Sequence, residues 1–450
     1  MQAAFLPKRV LWVAAMLTLS VGIRLADGQA LPSPGSAPAA SAESTPNPTQ
    51  PASPAADPTA ADAQLPGAIY KEAMHPLDVV RQSMENWSET ELGALHIGMR
   101  TASEACYRMQ PEDYSNGDLY DLAHLCAFGQ DWNPANTAAQ RYIVSKAPQH
   151  RAQAYAISVG AFVHLNALDL ALETTRELLR VEPYDAEVTY TLRYMKDALE
   201  SAGNPEAPVL AEEEHPLIIE ALSKGTPLKA EYGDAVVSTG LLYEMAMEAA
   251  FFERYAGNDA QAATDLADVE RALPPTAALT AEDRQEIDSA KLQYHLLGTQ
   301  LPHIPLLRSY KSATAKARID LDGRAATVLV LFPDWCVQCK KMMPEMSQFG
   351  ATHPDTSLSA YGLIFKGDSE KATPGAQDDL LGSDVLEISA DTARSFGSTD
   401  YPLGIVVDRA GFIRFIGTLP GDAFNSKGYM ERVIVRIVGR QVVKPVHFVR

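Results

Sequence analysis

Residues 331–345 read LFPDWCVQCKKMMPE, and this stretch places Cys336 and Cys339 three positions apart after an apolar run. The residues before it, ATVLVLF at 326–332, form a continuous apolar run rich in β-branched side chains, which is typical of a buried strand. The residues that follow have the pattern of a helix. The sequence therefore predicts a strand, a cysteine at the start of a helix, and a second cysteine one turn later.

The predicted position of Cys336 favours nucleophilic chemistry. At the N-terminus of a helix, unpaired backbone N–H groups and the positive end of the dipole stabilise a thiolate. The pKa of a free thiol is roughly 8.5, and this environment lowers it by about one to several units. Because only the thiolate attacks a disulfide sulfur, we expect Cys336 to be the nucleophile and Cys339 to be the resolving thiol.

Three alternatives compete with a redox-active pair. A zinc site needs four ligands, but the chain has four cysteines, no second CxxC pair, and ten histidines without ligand spacing, so no metal is expected. A purely structural bond between Cys336 and Cys339 would be strained and would close a short loop. The third alternative is a degenerate module in a non-enzymatic interaction scaffold, which keeps the dithiol but only docks partners.

The rest of the C-terminal sequence predicts an α/β sandwich. A second strand is expected at 357–367, and the segments 401–408 and 412–417 are expected to form a hairpin around the turn DRAG. An amphipathic helix is predicted at 428–440. The order is strand, helix, strand, hairpin and helix.

The stretch WCVQCK at 335–340 resembles the active-site motif of the thioredoxin superfamily. Pro344, five residues after Cys339, matches the proline that kinks the active-site helix of that family. Tyr401-Pro402 matches the cis-proline of the family, which lies against the dithiol and pairs with the substrate backbone. Residues 301–450 are most similar to the TlpA/ResA-like periplasmic thiol–disulfide oxidoreductases, and the resemblance implies a thioredoxin-like α/β fold.

The resemblance also implies the reaction, which is thiol–disulfide exchange with protein substrates that carry disulfides or thiols. Cys336 attacks, Cys339 resolves the mixed disulfide, and Pro402 helps to hold the extended substrate segment, while Trp335 belongs to the same catalytic motif. No bound cofactor is implied, because another dithiol protein donates the electrons.

Two departures from the family pattern leave the direction of the reaction open. Val330 and Met342 stand where the family has acidic residues, so the usual proton acceptor for the resolving thiol is missing or replaced. The dipeptide Val337-Gln338 is neither the Gly-Pro nor the Glu-Pro that is common in the family. Because this dipeptide tunes the redox potential, the sequence does not distinguish a reductant from an oxidant or an isomerase.

Residues 68–300 have the apolar spacing of helices. Tyr120, Tyr155 and Tyr190 are each 35 residues apart, close to the period of about 34 in tetratricopeptide (TPR) repeats. This part therefore resembles a TPR-like repeat domain, in which the tyrosines pack between stacked units. The resemblance implies a scaffold that binds a peptide or protein; a helical spacer without a ligand is the alternative.

After these repeats, the sequence predicts a break in the helical pattern and then three more helices. The break is expected at 202–227, which is rich in proline and charge. Helices are expected at 231–257, 260–273 and 282–298.

Cys106 and Cys126 form a possible structural disulfide. If residues 91–108 and 117–128 form a simple hairpin that turns near Glu112, the two cysteines are offset by eight residues. That offset corresponds to about 12 Å along a helix and exceeds the ~7 Å limit between bonded Cα atoms. An export signal would place the chain where disulfides persist, so a bonded pair and two free thiols both remain open.

The N-terminus has the pattern of such a signal. Lys8 and Arg9 precede 14 residues that are mostly apolar, and Gly28 and Ala30 have the spacing read by a signal peptidase. Residues 1–30 are predicted to be a signal peptide for export to the periplasm; an uncleaved N-terminal membrane anchor is the alternative. Residues 31–67 contain nine prolines and are predicted to be a disordered linker. The formal charge of −19 argues against a nucleic acid partner.

Overall fold

The computed structural model describes residues 65–83, 89–145, 149–311, 319, 321, 324–352, 358–367, 380, 384–398, 401–420, 423–424 and 429–442. The predicted signal peptide at 1–30 and most of the predicted linker at 31–67 lie outside these residues. None of the helices in the described ranges is both long and apolar enough to cross a membrane.

The N-terminal part of the fold is helical. Its helices are α1 (Pro66–Ser83), α2 (Glu89–Cys106), α3 (Gly117–Phe128), α4 (Trp132–Ile143), α5 (Arg151–His164), α6 (Leu168–Val181), α7 (Ala186–Ala202), α8 (Glu206–Ser223), α9 (Thr239–Ala256), α10 (Asp259–Ala272) and α11 (Ala281–Leu296). The two-residue strands β1 (Leu228–Lys229) and β2 (Val236–Val237) form an antiparallel hairpin between α8 and α9. Helices that follow one another along the chain pack against one another through most of this part.

Alternate helices carry the tyrosines that suggested a repeat. Helices α3, α5 and α7 begin at 117, 151 and 186, which makes successive helix pairs 34 and 35 residues long. Tyr120, Tyr155 and Tyr190 lie in the first or second turn of these helices. Tyr155 is buried in a core cluster, and the other two pack against neighbouring clusters. The tyrosines therefore lie at equivalent positions and contribute to packing.

Two boundaries predicted for this part are wrong. The segment expected to be a break contains helix α8. Pro208 lies in its first turn, where a missing N–H costs little, whereas Pro216 lies inside the helix, which buries one face through Leu210 and Ile218. The helix predicted from 231 begins only at Thr239. The preceding chain folds into the β1–β2 hairpin, and the Ser238 side chain caps the helix by accepting a hydrogen bond from the N–H of Leu241 (3.0 Å).

The C-terminal part is a six-stranded mixed sheet with helices on both faces. The strands are β3 (Leu306–Ser309), β4 (Ala326–Pro333), β5 (Leu358–Phe365), β6 (Val385–Ile388), β7 (Leu403–Asp408) and β8 (Ile413–Thr418), in the spatial order β3-β6-β5-β4-β7-β8. Strands β4, β5 and β6 pair in parallel, and the other pairs are antiparallel. The helices are α12 (Val337–Thr352), α13 (Ala390–Arg394) and α14 (Tyr429–Val442). The predicted strands, hairpin and terminal helix are present, with ends shifted by up to two residues.

Strand β4 separates two hydrophobic cores. Its side chains alternate: Val330 and Phe332 lie in the core with α12 and α14, whereas Leu329 and Leu331 lie in the core with Phe396, just after α13. All eight residues of the strand are buried. Because both faces of this strand are covered, side chains at successive positions are apolar, which explains the continuous apolar run at 326–332.

The helical part closes the edge of this sheet. The residues after α11 run beside β8, where Gly298 donates its N–H to the carbonyl of Ile413 (2.8 Å) and Ile413 donates back to Thr299 (2.8 Å). Further along β8, the Tyr255 hydroxyl donates to the carbonyl of Ile416 (2.7 Å), and the Tyr255 ring stacks on Phe415. These contacts cover an edge strand whose backbone would otherwise be open to pairing with another chain.

Cys106 and Cys126 are joined in a buried disulfide with a Cα–Cα distance of 5.2 Å. The separation of about 12 Å expected from a simple hairpin is wrong. Helix α2 ends at Cys106 itself, and the chain then passes through a short 3₁₀ helix at Pro111–Asp113 before α3 begins. This longer connection lets Cys126, near the end of α3, lie beside the end of α2.

Replacement of both cysteines (Cys106→Ala with Cys126→Ala) is expected to lower the free energy of unfolding by about 3 kcal/mol, because the bond constrains the unfolded chain across a sequence separation of 20. Urea denaturation followed by circular dichroism measures the loss. The matched control is Cys336→Ala with Cys339→Ala, which opens a separation of only three residues and should cost less. Equal losses in the two double variants would contradict the assignment of Cys106–Cys126 as the stabilising bond.

Candidate active site

The candidate active site begins where β4 ends. Asp334 and Trp335 form a turn after Pro333, and the N–H of Cys336 donates to the carbonyl of Pro333 (3.0 Å). Helix α12 begins at the next residue, Val337. Cys336 therefore lies at the N-terminus of α12, among backbone N–H groups that have no partner within the helix.

Cys336 and Cys339 form a disulfide in this structure, with a Cα–Cα distance of 5.3 Å. The two sulfurs have different surroundings: Cys336 is 9% exposed, whereas Cys339 is fully buried. The N–H of Cys339 donates to Sγ of Cys336 (3.2 Å). The more exposed cysteine is thus also the one whose sulfur receives a backbone hydrogen bond, which favours the anionic form of that sulfur once the bond is reduced.

The surroundings of Cys339 are apolar. It lies in one core cluster with Met342, Met343 and Met346 of α12, and Cys336 and Val330 belong to the same cluster. Neither Met342 nor Val330 can accept a proton, and an apolar environment disfavours a charged sulfur. Because both cysteines belong to this cluster, what favours attack by Cys336 is its greater exposure and the N–H that donates to its sulfur.

Pro402 lies at the same end of the sheet as Cys336. The peptide bond between Tyr401 and Pro402 is cis, and the carbonyl of Pro402 accepts a hydrogen bond from the N–H of Leu419 (2.8 Å). Strand β7 starts at the next residue and pairs antiparallel with β4, with Leu331 opposite Leu403. Because the strands are antiparallel, the start of β7 lies beside the end of β4.

Trp335 presents an aromatic surface at this end of the sheet. Its side chain is 45% exposed, although it directly precedes the buried Cys336. The indole lies against Gly367, where an added Cβ would approach Nε1 to 2.5 Å. Gly367 follows β5, and the sequence pattern did not single it out because the contact joins two strands that are far apart in the chain.

The helical part contains a second group of polar contacts, around the β1–β2 hairpin. Side chains at the N-terminal ends of α5 and α7 bind the main chain of the hairpin: Gln153 Nε2 donates to the carbonyl of Tyr232, Tyr190 Oη donates to the carbonyl of Val236 (2.9 Å), and Asp185 Oδ2 accepts from the N–H of Glu231 (2.8 Å). These helix ends therefore bind an irregular segment of chain through its backbone.

Glu187 is a buried carboxyl group beside these contacts and is 3% exposed. Burial, with a smaller contribution from the charge of Asp185, raises the pKa of Glu187 to about 7. Between the ordinary pKa and about 7, the folded chain keeps a proton that the unfolded chain has lost. The free energy of unfolding therefore falls as the pH rises through this window.

The variant Glu187→Gln is expected to be more stable than the wild type at pH 8 by roughly 2–3 kcal/mol and nearly equal to it at pH 4, because the amide carries no charge to desolvate. Urea denaturation at the two pH values measures the difference. Glu220→Gln is the matched control, since the side chain of Glu220 is 70% exposed. A stability difference at pH 8 no larger than that of the control would contradict the burial of an ionisable group at Glu187.

Comparisons with known proteins give matches among solved structures. The thioredoxin domain of a thiol-disulfide oxidoreductase from Bacteroides vulgatus is 19% identical and covers 31% of this chain and 97% of that chain, with a TM-score of 0.25. A putative thiol:disulfide interchange protein DsbE from Chlorobium tepidum is 21% identical over 26% of this chain and 83% of that chain, with a TM-score of 0.21. A secreted Mycobacterium tuberculosis disulfide oxidoreductase is 20% identical over 26% and 83%, with a TM-score of 0.20. No protein-family model and no curated protein matches the chain.

Proposed function

We propose that this chain is a thioredoxin-like thiol–disulfide oxidoreductase that acts on protein substrates through Cys336 and Cys339. One observation carries the proposal: the two sulfurs at the start of α12 are unequal, since Cys336 is 9% exposed and hydrogen-bonded by a backbone N–H, whereas Cys339 is fully buried. A pair built only for stability has no need of this asymmetry, whereas stepwise exchange requires one attacking sulfur and one resolving sulfur.

Exchange proceeds in two steps when the reduced pair meets a substrate disulfide. The Cys336 thiolate attacks one substrate sulfur, the substrate S–S bond breaks, and a mixed disulfide forms while the leaving sulfur takes up a proton. Cys339 then loses its proton and attacks Sγ of Cys336, which releases the second substrate thiol. The substrate gains two electrons and the pair loses two, so another dithiol protein must restore the reduced form. The same steps in reverse oxidise a substrate dithiol.

Pro402 and Trp335 are proposed to contact the substrate. Pro402 lies at the start of β7, beside the end of β4 that leads to Cys336. An extended substrate segment placed there would reach the sulfur of Cys336 and the exposed ring of Trp335. Both contacts are general to a peptide chain, because one uses the backbone and the other uses an aromatic surface.

The helical part is proposed to be a TPR-like scaffold that selects the partner. Its helix pairs have a period of 34 and 35 residues, and its helix ends bind the backbone of the β1–β2 hairpin. These contacts support a surface that accommodates extended chain. They also favour the second candidate function, a non-enzymatic scaffold in which the helices carry the binding and the dithiol is incidental.

The chain is proposed to work outside the cytoplasm. Residues 1–30 have the pattern of a signal peptide, residues 31–67 have the composition of a tether, and the protein contains two disulfides. Disulfides persist in an oxidising compartment such as the periplasm and are rare in the cytosol. An N-terminal membrane anchor instead of a cleaved signal would leave the same part of the chain outside.

Cys339→Ala is expected to accumulate a mixed disulfide between Cys336 and a substrate protein, because the attacking sulfur remains and the resolving sulfur is gone. Non-reducing electrophoresis and mass spectrometry of the bridged peptide measure the adduct. The control is the double variant with Cys336→Ala, which should trap nothing. An absence of adducts, together with full biological activity of Cys336→Ala, would favour the scaffold.

A further inference from the structure

We propose that Asp334 and Gly367 form a clamp that positions the indole of Trp335 and thereby sets how tightly the active site binds a protein substrate. The inference rests on the proposed function, because it assigns a role at the same site. The clamp joins the loop after β4 to the loop after β5, and neither residue belongs to the WCxxC motif.

Two hydrogen bonds from Asp334 hold the two loops together. The last paired residues of the parallel strands β4 and β5 are Pro333 and Phe365. Beyond this pair, Asp334 donates its N–H to the carbonyl of Phe365 (2.9 Å), and its Oδ1 accepts the N–H of Gly367 (3.1 Å). Asp334 therefore continues the contact between β4 and β5 beyond their last paired residues.

The surroundings make these bonds effective. Asp334 is only 8% exposed, so water competes weakly for its carboxylate. A hydrogen bond to a shielded, charged acceptor contributes more than one between neutral groups. The position of the Gly367 backbone therefore depends on the side chain of Asp334.

Gly367 in turn supports the ring of Trp335. A Cβ at this position would lie 2.5 Å from Nε1 and 2.6 Å from Cδ1 of the indole. The φ angle of Gly367 is not in the left-handed region, so its backbone conformation is open to any residue. A side chain at this position would displace the indole, because the indole occupies that space.

The clamp holds the indole of Trp335 in one position at the active site. The indole is held against Gly367 on one side, and Trp335, which directly precedes Cys336 in the chain, remains 45% exposed. A fixed aromatic side chain binds without losing rotamer freedom, which a loose side chain must give up on association. Loss of the clamp should therefore weaken the binding of a protein substrate while leaving the chemistry of the dithiol unchanged.

A different role for Asp334 would be electrostatic. Its carboxylate is two residues from Cys336, and a negative charge there opposes the thiolate. The two roles differ in their response to Asp334→Asn. The amide keeps an oxygen that can accept the N–H of Gly367, but it removes the charge.

The experiment compares Asp334→Asn, Asp334→Ala and Gly367→Ala in the exported chain, with Asp391→Asn at an exposed site as the matched control. Two disulfide probes are reduced at several concentrations: insulin, which presents a peptide chain, and dithiobis(nitrobenzoate), which does not. Alkylation of Cys336 by iodoacetamide across pH is followed in a Cys339→Ala background. Acrylamide quenching of Trp335 fluorescence, taken as the difference from Trp335→Phe, reports the ring directly.

We expect Asp334→Ala and Gly367→Ala to raise KM for insulin about fivefold to tenfold, with kcat within about twofold of the wild type, because substrate binding is lost. Asp334→Asn should stay within about twofold in both constants. The small disulfide and the pH midpoint of alkylation should not respond in any variant, and the indole should become more accessible to acrylamide in the first two variants.

The clamp is overturned if Asp334→Asn behaves like Asp334→Ala and shifts the alkylation midpoint, since that result assigns the residue to charge. It is also overturned if Gly367→Ala leaves both KM and quenching unchanged. If the wild type reduces neither probe while the quenching results hold, the proposed function fails and the positioning of Trp335 by the clamp stands.

Discussion

The candidate site depends on the burial of strand β4. All eight of its residues are buried, and it pairs with β5 on one side and β7 on the other. Because both faces and both edges of this strand are covered, the position of its last residue, Pro333, is tightly determined. Cys336 follows three residues later, at the start of α12, so the position of its sulfur is determined by the packing of β4 in the core of the sheet.

The neighbours of β4 bring the other parts of the site together. Strand β5 ends beside β4 and leads to Gly367, which supports the indole of Trp335. Strand β7 runs in the opposite direction, so its beginning, with Pro402, lies at the same end. A mixed sheet therefore gathers at one end residues that are separated by more than sixty positions in the chain.

The two disulfides differ in their exposure and in the hydrogen bonds to their sulfurs. Cys106 and Cys126 are both buried among the helices, so neither sulfur is open to a thiolate from another protein. In the pair at α12, both cysteines belong to one apolar cluster, but Cys336 is 9% exposed and its sulfur receives a backbone N–H, whereas Cys339 is fully buried. The covalent bond is the same, but the difference in access and hydrogen bonding is why thiol–disulfide exchange is proposed for the second pair and not for the first. The helical part also closes the β8 edge, through Tyr255 and the residues after α11.

The sequence by itself determined the features that depend only on residues close together in the chain. The apolar run at 326–332 is a buried strand, WCVQC begins a helix, and the tyrosine period marks alternate helices, because burial and helical periodicity are written in neighbouring residues. Helix α8 was not predicted because its two prolines, Pro208 and Pro216, suggested a break, although its buried face favours a helix.

Only the tertiary structure decided the contacts between distant segments. Cys126 meets Cys106 through a longer connection than a simple hairpin. Gly367 lies against the indole of Trp335, and Tyr255 covers the edge of β8. Nothing in a single segment encodes these contacts, because each depends on the direction and register in which separate elements pack. The position of the two cysteines at the start of a helix can thus be predicted from the sequence, but the surface around them exists only once the sheet has formed.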